Sequence, residues 1–251
     1  MSARPIVCFF PARNEAATVA AVVRRTPAAV GAHPVVTLVI DDGSTDDTVA
    51  RAVAAGAQVV RTEPGRGLGA AVRRGLSEAV ARDAIAVAFC DADGEYAPEE
   101  LAHVVGPILA GEADYVVGSR FARGTPHMRA HRRAGNRVLT FAMRRLTRVG
   151  LTDGQSGYRA LATRAARDAE IAHDYNYAQV LTLDLLGKGF RYAEVPISYA
   201  PREHGRSFVR VVPYFRHVIP AVLRMRRAAS SAAAPPVLVL DDVVPEAVAR
   251  V

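Results

Sequence analysis

Ala86-Val-Ala-Phe-Cys-Asp-Ala-Asp-Gly-Glu95 is an apolar run that stops in two carboxylates spaced i, i+2, with a third two residues later. A short apolar run bounded by a polar, glycine-containing turn reads as a buried strand. In open α/β sheets, ligands bind just beyond the carboxyl ends of the strands. Asp91 and Asp93 are therefore expected at the mouth of a site, with Glu95 close behind. Carboxylates crowded in this way repel one another unless a cation is present. Hard oxygen donors suit Mg²⁺ or Mn²⁺, which typically take one or two carboxylates, a substrate diphosphate and water. A bare D-x-D also serves as a polar turn in which the first Asp caps backbone amides. The segments on either side decide between the two.

Upstream, Pro5–Phe10, Val35–Ile40 and Ala57–Arg61 are further apolar strand runs, and Tyr115–Gly118 follows downstream. Amphipathic helical patterns separate them. Val19, Val22 and Val23 follow a loop in which Asn14 reads as an N-cap. Asp41–Asp47 leads into a second helix, with Ser44 and Asp47 in the form of a capping box. A third runs from Leu68, with Ala71, Val72, Leu76, Ala79 and Val80 on one face, and Pro98 opens a fourth. Strands alternating with helices over about 120 residues predict βαβ units and a mainly parallel, Rossmann-like α/β sheet.

Asp41-Asp42, beyond the second strand, falls where such folds hold a base and ribose, whose N–H and hydroxyl groups donate to carboxylates. Arg120 ends the Tyr115 strand, beside Asp91 and Asp93 in such a sheet, and reads as a phosphate clamp. Gly65–Gly69 lacks the Walker pattern, and its partial G-x-G-x-x-G form does not follow a strand directly, so alone it signals little.

The second half is less regular. Arg123–Arg133 is a basic loop that includes Arg132 and Arg133, followed by a helix to about Leu146. Asp153–Arg159 is a polar, glycine-containing turn, Ala178–Leu186 a helix and Tyr192–Tyr199 a strand. Pro201–Ser207 is a loop with Arg202, His204 and Arg206. Phe208–Arg227 keeps helical apolar spacing opposite Arg210, Arg216 and Arg224, broken by Pro213 and Pro220. A basic amphipathic segment of this kind suits the surface of an anionic bilayer, or equally a core-packing helix with a solvated face. Ala228–Pro236 reads as a linker, and the apolar run within Val237–Val251 has no assignment.

Composition sets the bounds. The 251 residues are 50% hydrophobic and 23% charged, enough to bury a sizeable core. The net charge of +7 rests almost wholly on arginine, since Lys188 is the only lysine. Such a balance favours anionic partners. Nucleic acid is not expected among them, because no recognised module or aromatic interleaving of basic patches is present. Cys8 and Cys90 fall inside strand runs and give neither a disulfide framework nor metal-ligand spacing. No secretory signal and no apolar run of about 18 residues is visible, which leads to the expectation of a cytoplasmic protein.

Seven motifs occur in order over about residues 5–210: P-x-x-N-E (Pro11–Glu15), D-D-G-S-T-D-D-T (Asp41–Thr48), G-L-G-A-A (Gly67–Ala71), D-A-D-G-E (Asp91–Glu95), V-G-S-R (Val117–Arg120), D-x-x-S-G-Y-R (Asp153–Arg159) and E-V-P-I-x-Y-x-x-R-x-x-G-x-S (Glu194–Ser207). This set resembles the family 2 glycosyltransferases, nearest to the dolichol- or polyprenyl-phosphate mannosyltransferases. The resemblance implies a GT-A fold and an inverting transfer from a nucleotide-sugar. It implies that Pro11, Arg13, Glu15 and Asp42 line the nucleoside pocket with Asp41 adjacent. Asp91, Ala92, Asp93 and Glu95 would form the metal and diphosphate site. Arg120 with Arg132 and Arg133 would face phosphates, Asp153 through Arg159 would border the acceptor, and Arg202 would close over the site. Three positions depart from the family. Arg13 stands where an aromatic is usual, Glu95 where Gln is frequent, and Phe208 where Lys or His is frequent.

On this reading a GT-A domain covers 1–227: a nucleotide-sugar half over about 1–120, an acceptor half over about 121–207 and basic amphipathic helices over 208–227. A linker and tail occupy 228–251. The acceptor is expected to be a polyprenyl phosphate, which is already an anion and needs no base. A hydroxyl acceptor, on a soluble metabolite or a glycolipid, would need one, and Asp153 is the residue for it. A nucleotidyltransferase would require a phosphate-binding glycine loop after the first strand, where Pro-Ala-Arg-Asn-Glu stands instead. A non-catalytic binding module would have no need of the acidic trio.

Overall fold

The computed structural model describes residues 3–122, 128, 130–174, 177–201 and 237–239. Arg202 and the Phe208–Arg227 segment lie outside these. Strand β1 (Ile6–Ala12) is the centre of a nine-stranded sheet, and all seven of its residues are buried. A strand covered on both faces has no polar side, which is why its sequence is continuously apolar. On one side it pairs in parallel with β3 (His33–Asp41), which pairs in parallel with β4 (Gln58–Arg61). On the other it pairs in parallel with β5 (Ala86–Phe89). A two-residue strand, β2 (Ala29–Val30), adds an antiparallel edge to β3.

The far half of the sheet breaks the parallel pattern. The neighbour of β5 is β7 (Arg159–Ala162), antiparallel both to it and to β6 (Tyr115–Ser119). Beyond β6 lie β8 (Tyr192–Pro196) and β9 (Val237–Val239), each parallel to its neighbour. The previously unassigned apolar run of the tail thus supplies an edge strand. An antiparallel strand begins where its parallel neighbours end. The 153–158 turn ahead of β7 is therefore delivered to the carboxyl ends of β5 and β6, beside the acidic cluster.

Helices cover both faces. Those of α1 (Val19–Arg25), α2 (Thr48–Ala54) and α4 (Leu101–Leu109) pack on one, with Cys8, Phe10 and Cys90 in the same core. On the other lie α3 (Leu68–Ala81), α6 (Thr163–Asp168) and α7 (Ala178–Gly187), around Phe9 and Phe89, whose rings stack at 4.8 Å. The helix α5 (Ala130–Thr147) contacts α7. Both thiols are fully buried, and burial pushes that of Cys8 up to about 12. Among the described residues no helix is long and apolar enough to cross a membrane.

Two local expectations fail. Asn14 is not an N-cap: it sits at φ 56, a left-handed conformation that Asn tolerates, four residues before the Thr18 cap. Its Oδ1 accepts the Thr45 N–H at 2.8 Å while its own N–H donates to Ser44 Oγ at 2.9 Å, lacing the β1–α1 and β3–α2 loops together. Ser44, so engaged, forms no capping box, and the Asp47 side chain makes no cap hydrogen bond. The Thr48 N–H is met by Asp46 Oδ1 at 3.0 Å.

Close helix–sheet packing needs Gly75, because a Cβ there would overlap the Phe9 ring. Gly75→Ala should gain roughly 1 kcal/mol in helix propensity. Overpacking against an aromatic held on the central strand costs about 1–3 kcal/mol. The variant is expected to be net destabilised in urea denaturation.

Candidate active site

A cleft of about 1170 Å³ opens along the carboxyl ends of the strands. The end of β1 contributes Pro11, Arg13 and Glu15, the end of β3 contributes Asp42, and the turn after β5 contributes Asp91, Ala92, Asp93 and Glu95. The end of β6 adds Arg120, and α5 closes that side with Asn136 and Leu139. The sequence-nominated residues of the first half are thus brought together, with the exception of Asp41. That residue is buried, accepts the Ser44 N–H on Oδ1 at 3.0 Å, lies 4.0 Å from Arg61 and does not line the cleft.

Asp42 organises the end of the cleft beside β1 and β3. Its Oδ2 accepts the Gly67 N–H at 3.0 Å and lies 3.7 Å from the Arg13 guanidinium, while Oδ1 meets Thr62 Oγ1 at 3.3 Å. The Arg13 side chain is 44% exposed and lies over Gly65. A planar guanidinium there can stack on a base as an aromatic ring would. Glu15 lines the cleft nearby, its backbone N–H held by Thr48 Oγ1 at 2.8 Å.

At the cleft centre, Asp93 Oδ1 accepts the Glu95 N–H at 3.0 Å, which fixes the turn that carries the acidic trio. The expected three-carboxylate metal site is not a closed cage: among the described residues no three His, Cys, Asp or Glu side chains converge to hold an ion. The donors are all hard oxygens on one wall of an open cleft. That set fits a divalent cation that takes most of its ligands from a diphosphate and water.

Arg120 and Asp153 form a buried bidentate pair, Nε to Oδ2 at 2.7 Å and Nη2 to Oδ1 at 2.9 Å, with the Arg120 N–H at 3.2 Å. Burial pushes the Asp153 carboxyl up, but the charge and hydrogen bonds of Arg120 outweigh it and hold the group below the usual carboxylate range. Asp153 is 0% exposed and does not line the cleft. A general base must reach its proton, and a buried, ion-paired, weakly basic carboxylate does not. The role of base nominated for Asp153 is therefore revised: it positions Arg120. The Arg120 guanidinium lies 5.4 Å from the Tyr199 ring centre, and Tyr199 bridges Tyr96 across the backbone.

The 153–159 turn is held from within. Arg159 is fully buried, and its Nη1 donates to the Ala178 carbonyl at 2.8 Å, to Thr182 Oγ1 at 3.0 Å and to the Tyr115 hydroxyl. It does not line the cleft and instead anchors α7. Gln155 and Gly157 are the members of the turn that reach the cleft. Arg133 is exposed and outside the cleft lining, while the Arg132 side chain and Arg202 lie outside the described residues.

The back wall was not foreseen. Segment 171–174 lines the cleft and packs against the start of α3, where the Gly69 N–H donates to the Asp174 carbonyl at 2.8 Å. Arg73 donates to the Ile171 carbonyl at 2.9 Å and pairs with Asp174. A Cβ on Gly67 would stand 2.7 Å from the Asp174 carbonyl, and one on Gly69 would overlap His173. The Gly65–Gly69 pattern is thus explained by close approach of two backbones. No motif marks the back wall, because Arg73 reads in the sequence like Arg74 beside it on an amphipathic helix.

Residues 8–169 match the family described as Glycosyl transferase family 2. The chain belongs to that family. It is 33% identical over 202 residues to glycosyltransferase AglJ of Haloferax volcanii, covering 79% of this chain and 64% of that protein. It is 32% identical over 186 residues to the polyprenol monophosphomannose synthase of Mycolicibacterium smegmatis, covering 68% of each. Among solved structures, glucosyl-3-phosphoglycerate synthase of Mycobacterium tuberculosis with Mn²⁺, uridine diphosphate and glucosyl-3-phosphoglycerate matches with a TM-score of 0.71 and 26% identity, covering 94% and 88% of the two chains. The fold of this glycosyltransferase is accordingly the GT-A α/β fold, with a curled mixed sheet between helices.

Removing the Asp153 charge should leave the buried Arg120 cation uncompensated. Asp153→Asn is expected to lower stability at pH 7 by about 3 kcal/mol. The folded-state pKa is depressed, so the pair's contribution is present above the unfolded value near 4 and is lost as pH falls through the folded value. The gap between wild type and variant in urea denaturation should therefore narrow below about pH 4.

Proposed function

We propose that this glycosyltransferase moves a sugar from a nucleotide-sugar, GDP-mannose or a UDP-sugar, to a polyprenyl phosphate, with inversion and with a divalent metal ion. Asp42, Glu15, Pro11 and Arg13 bind the nucleoside, with Asp42 accepting from the base or ribose. Asp91, Ala92 and Asp93 with Glu95 face the diphosphate and would hold Mg²⁺ or Mn²⁺, which offsets charge on the leaving phosphate. Arg120, locked by Asp153, presents a fixed cation where that charge develops and costs no reorganisation during transfer. Arg132, Arg133 and Arg202 add charge toward the acceptor.

The observation that carries the acceptor choice is the burial of Asp153. With that carboxylate committed to Arg120, a nucleophile that arrives already ionised is favoured over a hydroxyl awaiting deprotonation. The likeness to the polyprenol monophosphomannose synthase supports the same choice. A second reading rests on the structural neighbour, whose bound product is a glucosylated phosphoglycerate. On that reading the arginines grip the acceptor's phosphate, and its hydroxyl attacks as it gives its proton to a base other than Asp153.

Two measurements test these assignments. Nucleoside diphosphate release from GDP-mannose and UDP-glucose should rise with Mg²⁺ or Mn²⁺ and a polyprenyl phosphate, and fall to background in Asp93→Asn or in excess chelator. A response to 3-phosphoglycerate alone would select the second reading. Separately, Asp42→Ala should weaken binding of the matching nucleoside diphosphate by about 1.5–3 kcal/mol in calorimetry, the worth of a charge-assisted hydrogen bond. Unchanged affinity would reduce Asp42 to a brace for Gly67.

A further inference from the structure

Gln155 lines the cleft, yet its side-chain nitrogen is buried and meets no hydrogen-bond acceptor among the described residues. A buried donor left unmet is destabilising, and native proteins keep few of them. The backbone that carries it is pinned at both ends. The Gln155 N–H donates to Asp153 Oδ1 at 3.1 Å, the Gly157 N–H donates to the Tyr96 hydroxyl at 2.6 Å, and the Tyr177 hydroxyl donates to the Gly157 carbonyl at 3.2 Å. The turn also presses on the acidic cluster, since a Cβ on Gly157 would stand 2.8 Å from Asp91 Oδ2. Gln155 therefore sits on a fixed turn between Asp91 and the Arg120–Asp153 pair, with an amide nitrogen that the fold does not use.

We propose that Gln155 binds hydroxyl groups of the transferred sugar and so takes part in selecting it. The assignment rests on the nucleotide-sugar reading above and deepens it. Strand order sets the direction of the donor along the cleft. Asp42 and Arg13 stand at the ends of β3 and β1, the acidic cluster follows β5, and the 153–158 turn precedes β7 on the far side of β5. A donor with its nucleoside at β1 and β3 and its diphosphate at Asp91 and Asp93 then carries its sugar toward the turn. A primary amide is neutral and has two donors and one acceptor. That suits vicinal hydroxyls, each of which donates and accepts, whereas a phosphate is better met by the arginines. The terminal torsion of glutamine is soft, so the amide turns its nitrogen to the cleft when a hydroxyl oxygen stands there. Hexoses differ in the placement of their hydroxyls, and a sugar that leaves the amide unpaired is penalised.

Calorimetry on the full chain with Mg²⁺ or Mn²⁺ and no acceptor tests the contact. Gln155→Met keeps the length of the side chain and removes the amide. It should bind GDP-mannose or UDP-glucose, whichever the wild type takes, about five- to tenfold more weakly, the worth of a neutral hydrogen bond. Its affinity for the matching nucleoside diphosphate, which has no sugar, should equal that of the wild type. Its melting temperature should not fall, because the lost nitrogen bonds nothing in the free protein. Gln155→Ala should show the same split between the two ligands. Deoxy forms of the donor then locate the contact: loss of one hydroxyl should weaken binding to the wild type and leave Gln155→Met indifferent, as two partners of one interaction do. Equal losses for the nucleotide-sugar and the nucleoside diphosphate would overturn the proposal by placing Gln155 at the diphosphate. Unchanged donor affinity would overturn it too, and an accompanying rise in the KM of the acceptor would reassign the residue to that substrate. A wild type that binds neither nucleotide-sugar would reject the donor reading itself. Since no acceptor is present, the outcome does not depend on whether polyprenyl phosphate is the acceptor.

Discussion

The buried pair between Arg120 and Asp153 ties the two halves of this glycosyltransferase together. Arg120 ends a parallel strand, and Asp153 starts the turn that leads into the one antiparallel strand at the sheet's middle. Asp153 is itself held: Asn136 Nδ2 reaches Oδ1 at 3.4 Å, and the Gln155 N–H donates to the same oxygen at 3.1 Å. Behind it stands Glu194, whose two oxygens accept the Thr152 N–H at 2.9 Å each and whose Oε1 accepts the Tyr192 hydroxyl at 2.6 Å. Burial raises the Glu194 carboxyl and these hydrogen bonds only partly offset it. The result is a chain of support running from β8 through the turn to a single guanidinium at the cleft.

Arg159 shows how an isolated cation is tolerated a few ångströms deeper. Among the described residues no carboxylate pairs with it; carbonyls, hydroxyls and the rings of Tyr115 and Tyr177 at 5.9 and 5.3 Å surround it instead. Delocalised charge and five fixed donors allow this for arginine where lysine would need a counter-ion. The same geometry makes α7 and the 153–157 turn a single unit, so this side of the cleft rests on packed protein.

What could be read from the sequence follows from how local each signal is. The parallel half was legible because each strand there is an apolar run closed by a turn, and the acidic cluster marks its own strand end. Strand β7 was hidden: Arg-Ala-Leu-Ala is four residues long and opens on a charge, and only its partners on both sides make it a strand. Topology was enough to expect Arg120 and Asp91 at neighbouring strand ends, and both line the cleft, whereas the burial and pairing of Asp153 are not written in a motif. The back wall of 171–174 depends on contacts about 100 residues apart with Arg73, a distance at which no pattern in the chain speaks.

Cys8 and Cys90 carry a practical consequence. A thiol reacts as its thiolate, and burial pushes the Cys8 group up to about 12, which disfavours that form at neutral pH even before access is considered. Both sulfurs sit in the core on one face of the central strands, so a labelling reagent meets them only when that part of the sheet opens. The two cysteines are thus a built-in chemical clock. Their modification rate in dilute reagent counts openings of that part of the sheet, with no probe introduced.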